Sequence, residues 1–257
     1  IMKTGSFYIL YGLLWLLCGC QKELKNDDST GKSYTARITF RPVVQGQPLI
    51  LNQPYTNAFG EDYTVTAFRF YISALTLHNN QRPLPITNNI KYRLADAAIS
   101  TTLSITLSTD QNTFNSLSFQ VGVDSIDNVS GAQSGDLDPA KGMFWTWNSG
   151  YIMAKLEGGS SFSTVPNGTF TYHIGGFSGE DKTMRSVSFS TLQNRQITLK
   201  DSSITTILIN ADMDKWFQGA HALSIASHAF VHSPGSLARM YADNYAAMFS
   251  IASITEE

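Results

Sequence analysis

The residues of this 257-residue chain that could do chemistry are few: five histidines, a run of aspartates and two cysteines. His228 and His232 stand at i, i+4 in His-Ala-Phe-Val-His. The residue after His228 is Ala229, where a zinc protease would carry its general-base glutamate. Asp124, Asp127, Asp136 and Asp138 fall in one long segment and could together hold calcium, a hard ion that wants several oxygens. Their spacing does not match an EF-hand loop, and aspartate is also a good turn residue in its own right. An enzyme built on that segment would need carboxylates facing one another in a pocket. No Walker loop and no G-x-S-x-G nucleophile elbow occurs. The expectation is a protein that is not an enzyme.

Both cysteines, Cys18 and Cys20, lie near the start of the chain. Lys3 supplies a positive charge, and residues 7–17 (FYILYGLLWLL) form an apolar run of the length of a signal-peptide core. That run is shorter than the roughly 20 apolar residues a membrane-spanning helix needs. Leu17-Cys18-Gly19-Cys20 resembles a bacterial lipobox. The resemblance implies a signal peptide over residues 1–19, cleavage before Cys20, and acylation of the Cys20 thiol and its new amine. Residues 20–33 continue as a charged, polar stretch with too few apolar side chains to bury a core, and read as a flexible tether. Acidic residues soon after the cysteine resemble the export signals of Bacteroidetes surface lipoproteins. The expected location is the outer membrane, on its periplasmic or cell-surface face.

These cysteines must be positioned ahead of one folded domain, residues 34–257. With no cysteine of its own, that domain has no disulfide and no thiolate metal site, so its stability must come from a core. The formal net charge of −2 leaves no electrostatic footprint for nucleic acid. Residues 34–44, 63–77, 99–107, 116–123, 151–156, 169–174, 185–189, 196–199 and 205–210 read as strands. They are rich in β-branched and aromatic residues and are separated by Gly, Asn, Asp and Pro. Short turns are expected at 111–115 and 214–217, and one helix over 237–249, after Ser233-Pro234-Gly235. The fold class this predicts is all-β: an antiparallel β-sandwich, Greek-key-like, with one short C-terminal helix.

The sequence becomes specific from Gln120 onward. Val121-Gly122-Val123-Asp124-Ser125 is followed by Leu137-Asp138-Pro139 and by Gly142-Met143-Phe144-Trp145-Thr146-Trp147-Asn148-Ser149-Gly150-Tyr151. Then come Lys155-Leu156-Glu157-Gly158 and Phe170-Thr171-Tyr172-His173-Ile174-Gly175-Gly176. Upstream stand Tyr55, Asn57, Ala58, Gly60, Tyr63 to Val65 and Phe70-Tyr71-Ile72-Ser73; downstream stand Ala242-Asp243-Asn244-Tyr245 and Met248-Phe249. In this order the blocks resemble the MbnP-like family of secreted copper-binding proteins, in particular its Bacteroidetes lipoprotein branch, and more distantly MopE-like proteins.

The resemblance implies a β-sandwich that binds copper through histidine imidazoles. It also implies, in some members, a tryptophan oxidised by a partner di-haem cytochrome peroxidase. His173, inside the matching block and on an expected strand, becomes the first ligand candidate. Trp145 and Trp147, at i, i+2, would share one strand face as site-lining or modified aromatics, or simply as core. Met143 is expected in the core. Two departures stand out. The resemblance implies a histidine after the first-strand Phe in many relatives, where this chain has Phe40-Arg41-Pro42-Val43. Many relatives also end in His-x-His after Met-Phe, where this chain has Ser250-Ile251-Ala252. His221, His228 or His232 would have to supply a replacement, and His232, next to the Ser-Pro-Gly turn, is the favoured one. The expected function is a copper-binding or copper-handling lipoprotein of the cell envelope. The alternative is a metal-free surface lipoprotein serving as a ligand- or partner-binding module.

Overall fold

Period-two alternation builds most of the elements. In a computed structural model, described for residues 1, 31–88, 90–146, 149–192 and 195–257, Lys32–Glu257 form one unit and Ile1–Gly31 another. In the larger unit, β1 (Tyr34–Val44) turns Ala36, Ile38 and Phe40 inward and leaves Arg37, Thr39 and Arg41 half-buried. β2 (Asp62–Asn79) is 18 residues long, which straight would run about 60 Å. It bends at two irregularities. One lies opposite Glu157/Gly158; the other lies near Ala74, whose φ of 48° is left-handed. There follow β3 (Tyr92–Asp96), β4 (Ser104–Thr109), β5 (Ser116–Val121), a one-turn helix α1 (Ser125–Val129), β6 (Ile152–Gly159), β7 (Thr169–Gly175), β8 (Arg185–Phe189) and β9 (Ile204–Asp212). The chain closes with α2 (Asp214–Phe217), β10 (Phe230–Val231), α3 (Ser236–Ala246) and β11 (Phe249–Glu256).

The strands form two curled sheets. The first runs β11-β9-β1, with β4 on the free side of β1; the second runs β8-β5-β2-β6-β7-β10, with β3 also on β2. Between them Phe40 and Phe249 of the first sheet meet Phe70 and Phe119 of the second, at ring-centroid distances of 5.0 to 5.9 Å. Trp216 of α2 and Tyr241 and Tyr245 of α3 close one end of this core, all fully buried.

The expected all-β sandwich with a late helix is what forms, with local differences. Two ladders, β1 with β9 and β7 with β10, are parallel rather than antiparallel. Their partners are distant in sequence, so no hairpin dictates direction. Residues 100–103 form a 3-10 turn ahead of β4, and 113–114 make a short strand pair with 197–198.

The segment 122–151 folds over the outer face of the second sheet. There Tyr71, Tyr92, Val123, Leu137, Met143, Tyr151 and Met153 form a smaller core, with Phe144, Trp145 and Phe177 against it. Met143 is fully buried, as the core reading required. Trp145 is not on a strand. Its N–H donates to the Gly150 carbonyl (3.0 Å), and the Gly150 N–H donates to Thr146 (2.8 Å), closing a turn. The shared strand face expected for Trp145 and Trp147 is therefore corrected for Trp145, because Ser149 and Gly150 are turn formers. Trp147 lies outside the described residues.

Candidate metal centre

β7 sends Phe170, Tyr172 and Ile174 into the core and turns Thr171, His173 and Gly175 to the outer face. β6 does the same with Ala154 and Leu156 inward, and the antiparallel register sets Lys155 beside His173. On the other edge of β7 the parallel ladder matches Thr171 with Phe230 and Tyr172 with Val231. The next step along both strands brings His232 level with His173. Their imidazoles stack at 3.8 Å between centroids and 12° between planes. The Phe230 ring lies 4.2 Å from His232. Two rings this close cannot share one face of an imidazole, so His232 is sandwiched between His173 and Phe230.

The electrostatics of the pair are uneven. His173 Nε2 lies 2.6 Å from Glu157 Oε1, and Lys155 Nζ lies 3.5 Å from the same oxygen while donating to the Gly142 carbonyl at 2.7 Å. The His173 hydrogen bond, reinforced by Lys155, pulls the Glu157 carboxyl down to about 2. An ionised carboxylate only accepts, so His173 donates from Nε2, and in the neutral ring the lone pair sits on Nδ1. A carboxylate holding one ring N–H so that the other nitrogen faces a metal is a recurrent arrangement at metal-ligating histidines. Among the described residues His232 has no such partner: its Nε2 is buried without a hydrogen bond to any of them. Burial, followed by the neighbouring His173, pushes its ionisation down to about 4, so at neutral pH it carries a lone pair and no charge.

The donor chemistry fits copper, for which imidazole is a good ligand. The stack supplies two imidazoles and no third ligand. Lone pairs in parallel rings 3.8 Å apart do not meet at one point, so joint coordination requires one ring to turn. Among the described residues no group of three or more His, Cys, Asp or Glu side chains is arranged to hold a metal.

Here a family model for MbnP matches residues 33–233. The chain belongs to the MbnP family. MbnP from Methylosinus trichosporium superposes at a TM-score of 0.58 and 15% sequence identity, over 86% of this chain and 100% of that one. That likeness bears on the fold. No curated protein matches the chain in sequence. The MbnP match takes in Trp145, His173 and His232 and stops before α3 and β11. β11 nevertheless pairs with β9 inside the first sheet.

The remaining candidates fall elsewhere. His221 Nε2 lies 3.2 Å from Asp243, which also binds Arg185. The His228 carbonyl accepts from the Tyr241 hydroxyl (3.2 Å). The two places where the family resemblance led to an expectation of histidine lie on the other sheet. Arg41 pairs with Asn210 and Asn210 with Ser250, one cross-strand row on the outer face of the first sheet. Arg41 Nε donates to Asn210 Oδ1 at 2.9 Å. With the core between, that row cannot converge with His173.

The aspartates are occupied. Asp124 and Asp127 both take the Tyr92 hydroxyl (2.6 and 2.5 Å), and Asp127 also pairs with Lys91 at 2.5 Å. Asp136 binds Lys141 (2.6 Å), and Asp138 caps the 3-10 turn 139–141 through the Ala140 N–H. Cys20 lies outside the described residues. Trp145 packs on Gly175, two residues from His173 on the same outer face. Sequence reasoning missed Glu157 and Lys155 as site residues. Their signal was alternation with Leu156, which puts them on the outer face of a strand pairing with that of His173.

Proposed function

We propose that this MbnP-family protein is a cell-envelope lipoprotein, held at the outer membrane through lipid on Cys20, that binds copper through His173 and His232. The observation that carries this reading is the adjacency of the two imidazoles. One is oriented by Glu157; the other is kept uncharged with an unpaired buried nitrogen. Copper when bound supplies a one-electron redox couple. The chain's own part is to hold His173 through Glu157 and to present His232, uncharged, beside it. Trp145 lines the same face. A di-haem cytochrome peroxidase is the partner the family suggests, and the protein itself is not an enzyme on this reading.

The test is Cu(I) titration against a competing chelator for wild type, His173→Ala and His232→Ala. Tight binding in the wild type, abolished by either change, is expected. Tight binding untouched by both would mean the site lies elsewhere. Absence of binding would favour the second reading, a metal-free module that binds a ligand or partner. That reading draws on the Arg41–Asn210–Ser250 row, which puts a guanidinium–amide pair where the family resemblance led to an expectation of imidazoles.

A further inference from the structure

His232 is delivered to the sheet by a strand only two residues long, Phe230–Val231. A ladder that short does not fix its own register, and a one-residue slip would exchange the core-facing and outward side chains. Something upstream must set it. The loop before β10 is moored by Glu61, a carboxylate only 3% exposed in the turn between Asn57 and β2. Glu61 Oε2 accepts the Ile225 N–H at 2.7 Å, and Oε1 accepts the Ala226 N–H at 2.9 Å. Asn57 Nδ2 donates to Oε2 at 2.7 Å, while Asn57 Oδ1 accepts the N–H groups of Phe59 (2.9 Å) and Glu61 (3.1 Å) and so fixes the turn itself. Charge-assisted bonds of this kind are about twice as strong as neutral ones. Between the mooring and His232 further bonds tie the chain to β7 and α3. The Thr171 N–H donates to the Ala229 carbonyl at 2.9 Å, and the Tyr241 hydroxyl donates to the His228 carbonyl at 3.2 Å.

We infer that Glu61 is a positioning residue. By clasping two consecutive amides of the preceding loop it sets the register of β10, and thereby seats the His232 ring on His173. The placement stands on the hydrogen bonds of Glu61 alone; its consequence for copper rests on the reading of His232 as a ligand.

The test is Glu61→Gln, which keeps the shape but turns one acceptor into an NH2 group facing N–H donors. In the metal-free protein, NMR should show the His232 ring protons losing the upfield shift imposed by the flanking His173 and Phe230 rings. The cross-peaks between the two imidazoles should vanish, while the resonances of His78 and His221 stay in place. Cu(I) affinity should fall by about tenfold or more, as when an outer partner of a ligand is removed. An unchanged His232 shift and intact cross-peaks in a folded Glu61→Gln protein would overturn the inference. If that variant does not fold, hydrogen exchange of the wild type decides. Ile225 and Ala226 amides protected as well as those of β7 support the clasp, and exchange at open-loop rates overturns it. A displaced ring with unaltered copper affinity, or with no copper binding even in the wild type, would leave Glu61 in its role and remove His232 from the metal site.

Discussion

Replacing Gly175 with alanine drives a methyl group into Trp145. A Cβ built on Gly175 would lie 2.6 Å from Cζ3 and 2.8 Å from Cη2 of that indole, and 2.9 Å from the Tyr151 carbonyl oxygen. Comfortable carbon–carbon contacts sit at about 3.5–4.0 Å, so the ring must retreat by roughly 1 Å. The carbonyl is backbone beside the Ile152–Gly175 pair and has less room to yield. Gly175 does not occupy left-handed φ, so alanine carries no dihedral strain there. Its restriction of the unfolded chain contributes about 0.4–1 kcal/mol of stability. Overpacking costs about 1–3 kcal/mol, which leaves a net loss of up to about 2.6 kcal/mol, roughly 1–2 for the middle of both ranges. In a domain of this size that lowers Tm by about 2–8 °C, measurable by calorimetry. Part of the cost belongs to the indole, so Gly175→Ala should be milder in a Trp145→Ala background, with a coupling of about 0.5 kcal/mol or more. An unchanged or raised Tm, or no coupling in the cycle, would show that Trp145 does not rest on Gly175 beside His173.

Two further outcomes are expected. In the metal-free protein the His232 ring should titrate at about 4 against an unfolded value of 6.5. Between these pH values the unfolded chain takes up a proton that the fold refuses, so stability should fall as pH drops from 6.5 to about 4. Glu157, depressed from 4.5 to about 2, loses its own contribution lower still; an NMR titration placing His232 near 6.5 would contradict the buried, stacked ring. For the leader, Cys20→Ser should release the protein from membrane fractions and leave the precursor mass, and a variant that fractionates and processes like the wild type would rule out lipidation at Cys20.

The strand content, the single late helix and the family itself were legible in the chain because they rest on short-range signals. Alternation in residues 34–44 and 63–77 writes the buried face directly, and the Met-Phe-Trp and His-Ile-Gly-Gly blocks are contiguous. Even locally, the strand expected at Trp145 does not form, since alternation holds only where the backbone stays extended, and a turn closes at Gly150. Only the tertiary structure decided the site. His173 and His232 meet because β10 joins β7 in a parallel ladder, and Glu61 clasps Ile225 and Ala226 from a turn far upstream. Neither contact leaves a trace in local pattern, because the residues are remote in sequence and their pairing is settled by which sheet edge is open when the chain returns. The Arg41–Asn210–Ser250 row makes the same point in reverse: three unremarkable residues of three strands become neighbours only through the register of the first sheet.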